Sequence, residues 1–208
     1  MVAKTDKSEI YKKLKRLDLK SNEKGIDIHT MNIFVLPCSP RKDGNSDTLC
    51  RAFSKGAAEA GHRVEIVYPR DKALSYCKKK CDNICPSSEC VIDDDFKEIA
   101  KKLSAADVIV MATPIYYNKP SKNFKMILDR TKILANDSFA NKDIILIITA
   151  GMAGEAPAAQ TIELVNNWCK EFKNISLKHI IYGTGLNKID DAKGSEQETQ
   201  AYLLGKSI

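Results

Sequence analysis

The chain has 208 residues, 43% of them hydrophobic, and a formal net charge of +6. That length suits one domain with an appendage, and the apolar fraction is enough for a sizeable core. About half of the net charge falls in the first thirty residues, and the rest contains no basic run that argues for nucleic acid. No apolar stretch is long enough to span a bilayer, and the N-terminus lacks the apolar core of a secretory signal, so a soluble cytoplasmic protein with no membrane partner is expected. Seven cysteines, an odd count without a secretion signal, argue against a disulfide framework and for free thiols with a metal site as one use of them.

Residues 1–30 differ in pattern from the remainder of the chain. Ile10, Leu14 and Leu17 recur at helical spacing, which predicts a short amphipathic helix in an N-terminal extension outside the core fold. From Met31 onward strand and helix patterns alternate. The runs NIFVLP, RVEIVY, DVIVMAT, DIILIIT and HIIYGTG are short, rich in Val and Ile, and apolar without alternation, as strands are when both faces are covered. Between them, Leu49, Phe53, Gly56 and Ala60 make one helical stripe, Phe124, Ile127, Leu128 and Leu134 another, and Ile162, Val165, Cys169 and Phe172 a third. The pattern predicts an α/β fold over residues 31–208, a five-stranded parallel sheet of order 2-1-3-4-5 with helices on both faces. In that order a ligand sits beyond the carboxyl ends of strands 1 and 3.

The segment after the first strand, SPRKDGNSDTL, has the composition of a phosphate socket. A helix starting near Ser46 leaves its first N–H groups unpaired and carries partial positive charge. Ser39, Asn45, Ser46 and Thr48 add side-chain donors, Arg41 adds a full charge, and Gly44 lets the backbone approach a ligand. No Gly-Lys-Ser/Thr is present after it, and G-x-G-x-x-G is missing, so neither the Walker loop nor the dinucleotide fingerprint applies. The bland alternative is that Asn45 and Ser46 only cap a helix.

S-P-R-x-x-G-N-S-x-x-L resembles the phosphate loop of the NAD(P)H-dependent FMN reductase family, within the flavodoxin-like fold, and especially its iron-sulfur flavoprotein branch. The resemblance runs from Met31 to the C-terminus through GHRVEIV, ADVIVMATPIYY, SKNFKMILDR, TAG and AYLLGKSI. Cys38 departs from it, standing where the family often has glycine. The resemblance implies a flavodoxin-like three-layer sandwich binding FMN, with the phosphate loop residues Ser39, Arg41, Asn45, Ser46, Asp47 and Thr48 as ligands. It places Pro114, Ile115, Tyr116, Tyr117 and Asn118 along the flavin ring, and Thr149, Ala150 and Gly151 near the ring's pyrimidine edge or a subunit boundary. It also implies NAD(P)H as hydride donor, an unidentified electron acceptor, and a homodimer or homotetramer.

Cys77, Cys81, Cys85 and Cys90 lie close together in a cysteine-rich loop at 70–94. The iron-sulfur branch has a compact cluster motif here, which makes the four candidate ligands of a [4Fe–4S] cluster. That branch uses C-x₂-C-x₂-C, whereas both gaps here are one residue longer. On a helix, x₃ spacing would put three thiols on one face roughly 6 Å apart, which could serve a cluster, a zinc or nothing. Asp93, Asp94 and Asp95 fit helix capping better than a cation. Asp129 and Arg130 suit a paired structural role, and Trp168 the core. No catalytic acid-base constellation presents itself, which flavin chemistry does not need. The expected activity is an FMN-dependent NAD(P)H oxidoreductase. The alternatives are a flavodoxin-like or iron-sulfur electron carrier with protein partners, and a phosphate-binding module without flavin.

Overall fold

Strands that are apolar on both faces need cover on each side. A computed structural model, which describes residues 30–77, 90–134 and 139–208, supplies that cover as two helical layers. The elements in chain order are β1 (Asn32–Pro37), α1 (Asn45–Glu59), β2 (Arg63–Ile66), α2 (Phe96–Ala105), β3 (Val108–Tyr116), β4 (Lys119–Pro120), α3 (Lys122–Arg130), β5 (Lys142–Ala150), α4 (Ala159–Lys170), β6 (Ile175–Thr184) and α5 (Glu196–Lys206). The extension at 1–29 lies outside the described residues.

Five strands are parallel in the order β2-β1-β3-β5-β6. β4 is a two-residue return that pairs antiparallel with the end of β3. With β4 set aside, this is the expected order 2-1-3-4-5. All five carboxyl ends therefore lie along one edge, where the intervening loops must meet.

Successive strand residues face opposite sides, and each side has its own core. Phe34, Leu36, Ile109, Met111, Leu146 and Ile148 pack under α2, α3 and α4 through Phe96, Ile99, Leu103, Phe124, Ile127 and Val165. Ile33, Val35, Val108, Val110, Ile145 and Ile147 pack under α1 and α5 through Leu49, Phe53, Ala57 and Ala201. Trp168 is in the first core, as expected. Its indole N–H donates to Thr131 Oγ1 at 2.8 Å, and its ring meets Phe139 and Phe172 edge-on.

α5 is not evident as an amphipathic stripe in the sequence, because its buried contacts are small residues, Ala201 and Gly205. They allow a close crossing with α1. A Cβ on Gly56 would collide with the Tyr202 carbonyl, and a Cβ on Gly205 with the Phe53 carbonyl. The contact is reciprocal and backbone to backbone, so no side chain can swing away. This crossing fixes the axis of α1, whose N-terminus faces the sheet's carboxyl edge. Gly56→Ala gains about 1 kcal/mol of helix propensity but forces the helices apart, at a cost of roughly 1–3 kcal/mol or more. The expected net result is destabilisation, read as a lower denaturant midpoint for Gly56→Ala and for Gly205→Ala, while Ala57, which already carries its Cβ, marks the tolerated neighbour.

Candidate functional site

At the end of β1 the chain turns away from the sheet, and its loop is fixed from behind. Ser121, which also caps α3 by accepting from the Phe124 N–H, donates its hydroxyl to the Cys38 carbonyl at 2.7 Å. Arg70, just after β2, forks onto Asp47 with bonds of 3.0 and 2.8 Å. It also donates to the carbonyls of Ser39 and Arg41 at 3.3 and 3.2 Å, and its guanidinium lies over the Tyr68 ring at 4.4 Å. Asp47 is fully buried and also accepts the Asp43 N–H at 2.9 Å. The loop carbonyls are thus occupied at the back.

α1 then starts with Gly44 as N-cap and no side-chain capping bond. Asn45 and Ser46 are not the caps that the bland alternative supposed. The first-turn N–H groups remain for a ligand's oxygen atoms.

This helix start opens into a cleft of about 230 Å³. Its walls include Ser39, Arg41, Asn45 and Ser46 from the loop and α1, Pro114, Ile115 and Tyr116 from the end of β3, and Thr149, Ala150 and Gly151 from the end of β5. An adjoining, more apolar cavity of about 420 Å³ shares Ile115, Ala150 and Gly151 with it and adds Tyr117, Asn118, Met152 and Pro157. Twelve of the fourteen residues expected at a flavin site therefore line one continuous space. Asp47 and Thr48 do not. Asp47 lies behind the loop on Arg70, and Thr48 is buried with its hydroxyl on the Gly44 carbonyl at 3.4 Å.

Several expected donors have partners within the fold. Ser39 Oγ accepts the Arg41 N–H at 3.1 Å, and the Ser46 and Thr149 hydroxyls bond each other at 2.8 Å. A hydroxyl keeps further capacity in such a pair, whereas the Asn45 amide is more fully committed. It donates to the carbonyls of Leu186 and Lys188 at 3.5 and 2.9 Å, and accepts the Ala192 N–H at 3.1 Å. These bonds bring the loop after β6, Leu186 to Ile189, onto the cleft. Sequence reasoning missed this loop and Arg70. The available signal was topological: in a parallel sheet the loop after the last strand joins the same edge.

Tyr116 and Tyr117 point differently, since β3 ends at Tyr116 and Tyr117 opens a turn. Tyr116 lines the cleft, while Tyr117 is 98% exposed beside the adjoining cavity. Tyr117 and Asn118 form the two-residue turn between β3 and β4 with φ of 50° and 62°.

A second buried fork holds the base of the cysteine-rich segment. Arg130 bonds both oxygens of Asp94 at 2.8 and 2.9 Å, donates to the Ser75 carbonyl at 2.8 Å and to Cys90 Sγ at 3.4 Å, and lies 4.5 Å over Phe96. Asp129 pairs with Lys125 instead, so the structural roles expected of Asp129 and Arg130 are real but involve different partners. Of the acidic run, Asp94 accepts the Phe96 N–H, Asp95 the Ala73 N–H, and Asp93 pairs with Lys97. Asp94, which also accepts the Ser75 N–H, and Asp95 tie the segment's two ends together.

Of the four cysteines proposed for a metal, Cys77 is exposed and Cys90 half-buried. Cys81 and Cys85 lie outside the described residues, and no group of three metal-ligating side chains occurs among the described ones. Burial pushes the thiols of Cys38 and Cys50 well up and that of Cys169 up to about 11, so these three are inert core groups.

The chain matches the family model described as NADPH-dependent FMN reductase over residues 31–176. The chain belongs to this family. It is similar to an iron-sulfur flavoprotein of Methanosarcina thermophila, with 30% identity over 139 residues, covering 66% of this chain and 72% of that protein. Among solved structures, it resembles an NAD(P)H:quinone oxidoreductase from Methanothermobacter marburgensis with TM-score 0.66 and 17% identity, over 85% of this chain and 98% of that one. It also resembles RosB bound to 8-demethyl-8-formylriboflavin-5′-phosphate, with TM-score 0.68 and 15% identity, over 85% and 76% of the two chains. The family makes the protein a flavin-dependent oxidoreductase on a flavodoxin-like fold.

The Asp94–Arg130 fork generates a pH prediction. Burial alone would raise the Asp94 carboxyl, but bonds from Arg130 and from the Ser75 and Phe96 N–H groups outweigh it and leave the group below its ordinary value. A depressed native value contributes stability that is fully present above the ordinary aspartate range and is lost as pH falls through the native value. Asp94→Asn should cost about 3 kcal/mol at neutral pH, because Arg130 is left buried without its counter-charge. It should also flatten the fall in unfolding free energy on acidification below pH ~4, measured by urea titrations at several pH values.

Proposed function

We propose that the cleft binds FMN with its phosphate at the start of α1 and its ring in the adjoining cavity, and that NADH or NADPH is the hydride donor. The observation that carries this reading is the uncapped N-terminus of α1, opening into a space that continues into a more apolar cavity. The residues present suit the group. The phosphate end has helix N–H groups and the exposed Arg41, which makes no ion pair among the described residues. The ring end is lined by Ile115, Ala150 and Gly151, and a Cβ on Gly151 would displace the Asn187 amide from its place beside it.

Bound there, the flavin supplies the hydride and electron chemistry, and the protein supplies position. Pro114 stiffens the wall that meets the ring. Backbone N–H groups after β3 and β5 would favour negative charge at its polar edge. Tyr117, Met152 and Ile189 leave an exposed apolar rim at the mouth, which a homodimer or homotetramer would cover.

A second reading concerns electron transfer onward. The similar Methanosarcina protein is named an iron-sulfur flavoprotein, and Cys77, Cys81, Cys85 and Cys90 would be the ligands of a [4Fe–4S] cluster here. Arg130, donating to Cys90 Sγ, and the lysines at 78–80 would favour thiolate ligands. The protein would then pass electrons to a protein partner as a carrier.

Three experiments test these readings. Arg41→Ala with Ser46→Ala should weaken FMN retention roughly a hundredfold, since two bonds to a charged phosphate are lost. Undiminished flavin after extensive dialysis of the double variant would mean that the phosphate lies elsewhere. Anaerobic addition of NADH or NADPH to the purified protein should bleach its flavin absorbance within a mixing experiment. Reduction by dithionite or a ferredoxin but by neither nucleotide would favour the carrier, and iron and acid-labile sulfide in equal amounts after anaerobic purification would establish the cluster.

A further inference from the structure

Asn45 stands where a phosphate ligand is expected, yet its amide is turned away from that task. Both of its bonds as a donor and its bond as an acceptor go to one segment, Leu186 to Ala192. That segment is braced internally and tied to the sheet as well. Asp191 accepts the N–H groups of Asn187 and Lys188 at 2.8 and 2.7 Å, and the Leu186 N–H extends the β5 pairing to the Ala150 carbonyl at 3.1 Å. Of the residues this loop brings to the cleft wall, Leu186, Asn187, Lys188 and Ile189, Lys188 is the charged one. Lys188 is exposed and makes no ion pair among the described residues. Arg41, which lines the same cleft, is likewise exposed and makes no ion pair among the described residues. Two cations without an ion pair among the described residues therefore line the cleft at the same uncapped helix start, one contributed by the loop after β1 and one by the loop after β6.

We propose that Lys188, positioned by Asn45, is the second cation for the terminal phosphate of the flavin and sets the preference for phosphorylated over unphosphorylated flavin. This inference rests on the FMN reading above. A phosphate monoester carries nearly two negative charges at neutral pH, and helix N–H groups with one arginine leave part of that charge uncompensated. A lysine is suited to add a point charge without imposing bidentate geometry. Asn45 is a positioning residue in this scheme. Its amide ties the first turn of α1 to the loop that delivers the ammonium group, so the two halves of the phosphate site move together.

The test uses full-length protein from which flavin has been removed, titrated separately with FMN and with riboflavin and followed by flavin fluorescence. Wild type should bind FMN more tightly than riboflavin. Lys188→Met should weaken FMN about tenfold, the equivalent of one charge-assisted bond, and leave riboflavin unchanged. It should also flatten the decline of FMN affinity with added salt. Lys188→Arg should restore most of the FMN affinity. Asn45→Ala should weaken FMN at least as much as Lys188→Met, and adding Lys188→Met to it should cost less than in wild type, as for coupled residues.

Equal losses for FMN and riboflavin in Lys188→Met, or no loss for either, would overturn the proposal. So would a wild type that does not distinguish the two ligands. A wild type that binds neither ligand would instead reject the FMN reading itself. Lys188 is exposed, so its variants do not depend on the core, and they decide the matter even if Asn45→Ala fails to fold.

Discussion

The site depends first on one buried ion pair, Arg70 with Asp47. A loop that is to present N–H groups to an anion must dispose of its carbonyl groups, since unpaired carbonyls facing the cleft would repel the phosphate. Arg70 does this from behind, collecting two loop carbonyls and both oxygens of the first-turn carboxylate. Asp47 in turn takes the Asp43 N–H. A carboxylate in the first turn of α1 would ordinarily compete with an anionic ligand for the helix dipole. Neutralised by Arg70 and fully buried, it shapes the loop instead, and the cleft keeps its positive character.

The Arg130 fork has the same plan on the neighbouring loop. Each arginine grips a buried or nearly buried aspartate through both terminal nitrogens, rests on an aromatic ring, and leaves its Nε without a hydrogen bond among the described residues. Each joins a segment that comes after β2 to an element far away in sequence, Arg70 to the start of α1 and Arg130 to the end of α3. Buried pairs of this kind contribute little net stability, because desolvation cancels much of the attraction. Their value is geometric: a planar guanidinium with several fixed donors sets the relative position of loops that no apolar core reaches.

The sheet was legible in the sequence because two-sided burial imposes continuous apolar runs, and the runs at 32–37, 63–68 and 143–149 became β1, β2 and β5 with small changes at their ends. The phosphate loop was legible because the composition after β1 is locally unusual. The illegible part is non-local. Nothing near Asn45 says that its amide is taken by residues more than 140 positions away, and nothing near Arg70 says that it lies under Ser39 and Arg41. α5 was missed for a related reason: it is held by glycine contact rather than by an apolar stripe, and small residues leave almost no hydropathy signal. The local reading therefore found most of the residues that line the cleft, but not the bonds that several of them make to distant parts of the fold.

The turn at Tyr117 and Asn118 shows a different constraint on the same edge. Two-residue hairpins with positive φ at both central positions favour Asn-Gly or Asp-Gly, and a tyrosine in the left-handed region costs on the order of 1 kcal/mol. Burial of the side chain does not offset this, because Tyr117 is 98% exposed. The turn is nonetheless closely determined, since β4 pairs through Ile115 with Pro120 and Tyr116 with Lys119, and Ser121 then ties the chain to Thr113 and to the Cys38 carbonyl. Ser121 thus connects the strained turn to the base of the phosphate loop. The protein thus keeps an exposed tyrosine beside the adjoining cavity in a backbone conformation that a glycine would adopt more readily, fixed by the pairing on either side of the turn and not by any burial of the ring.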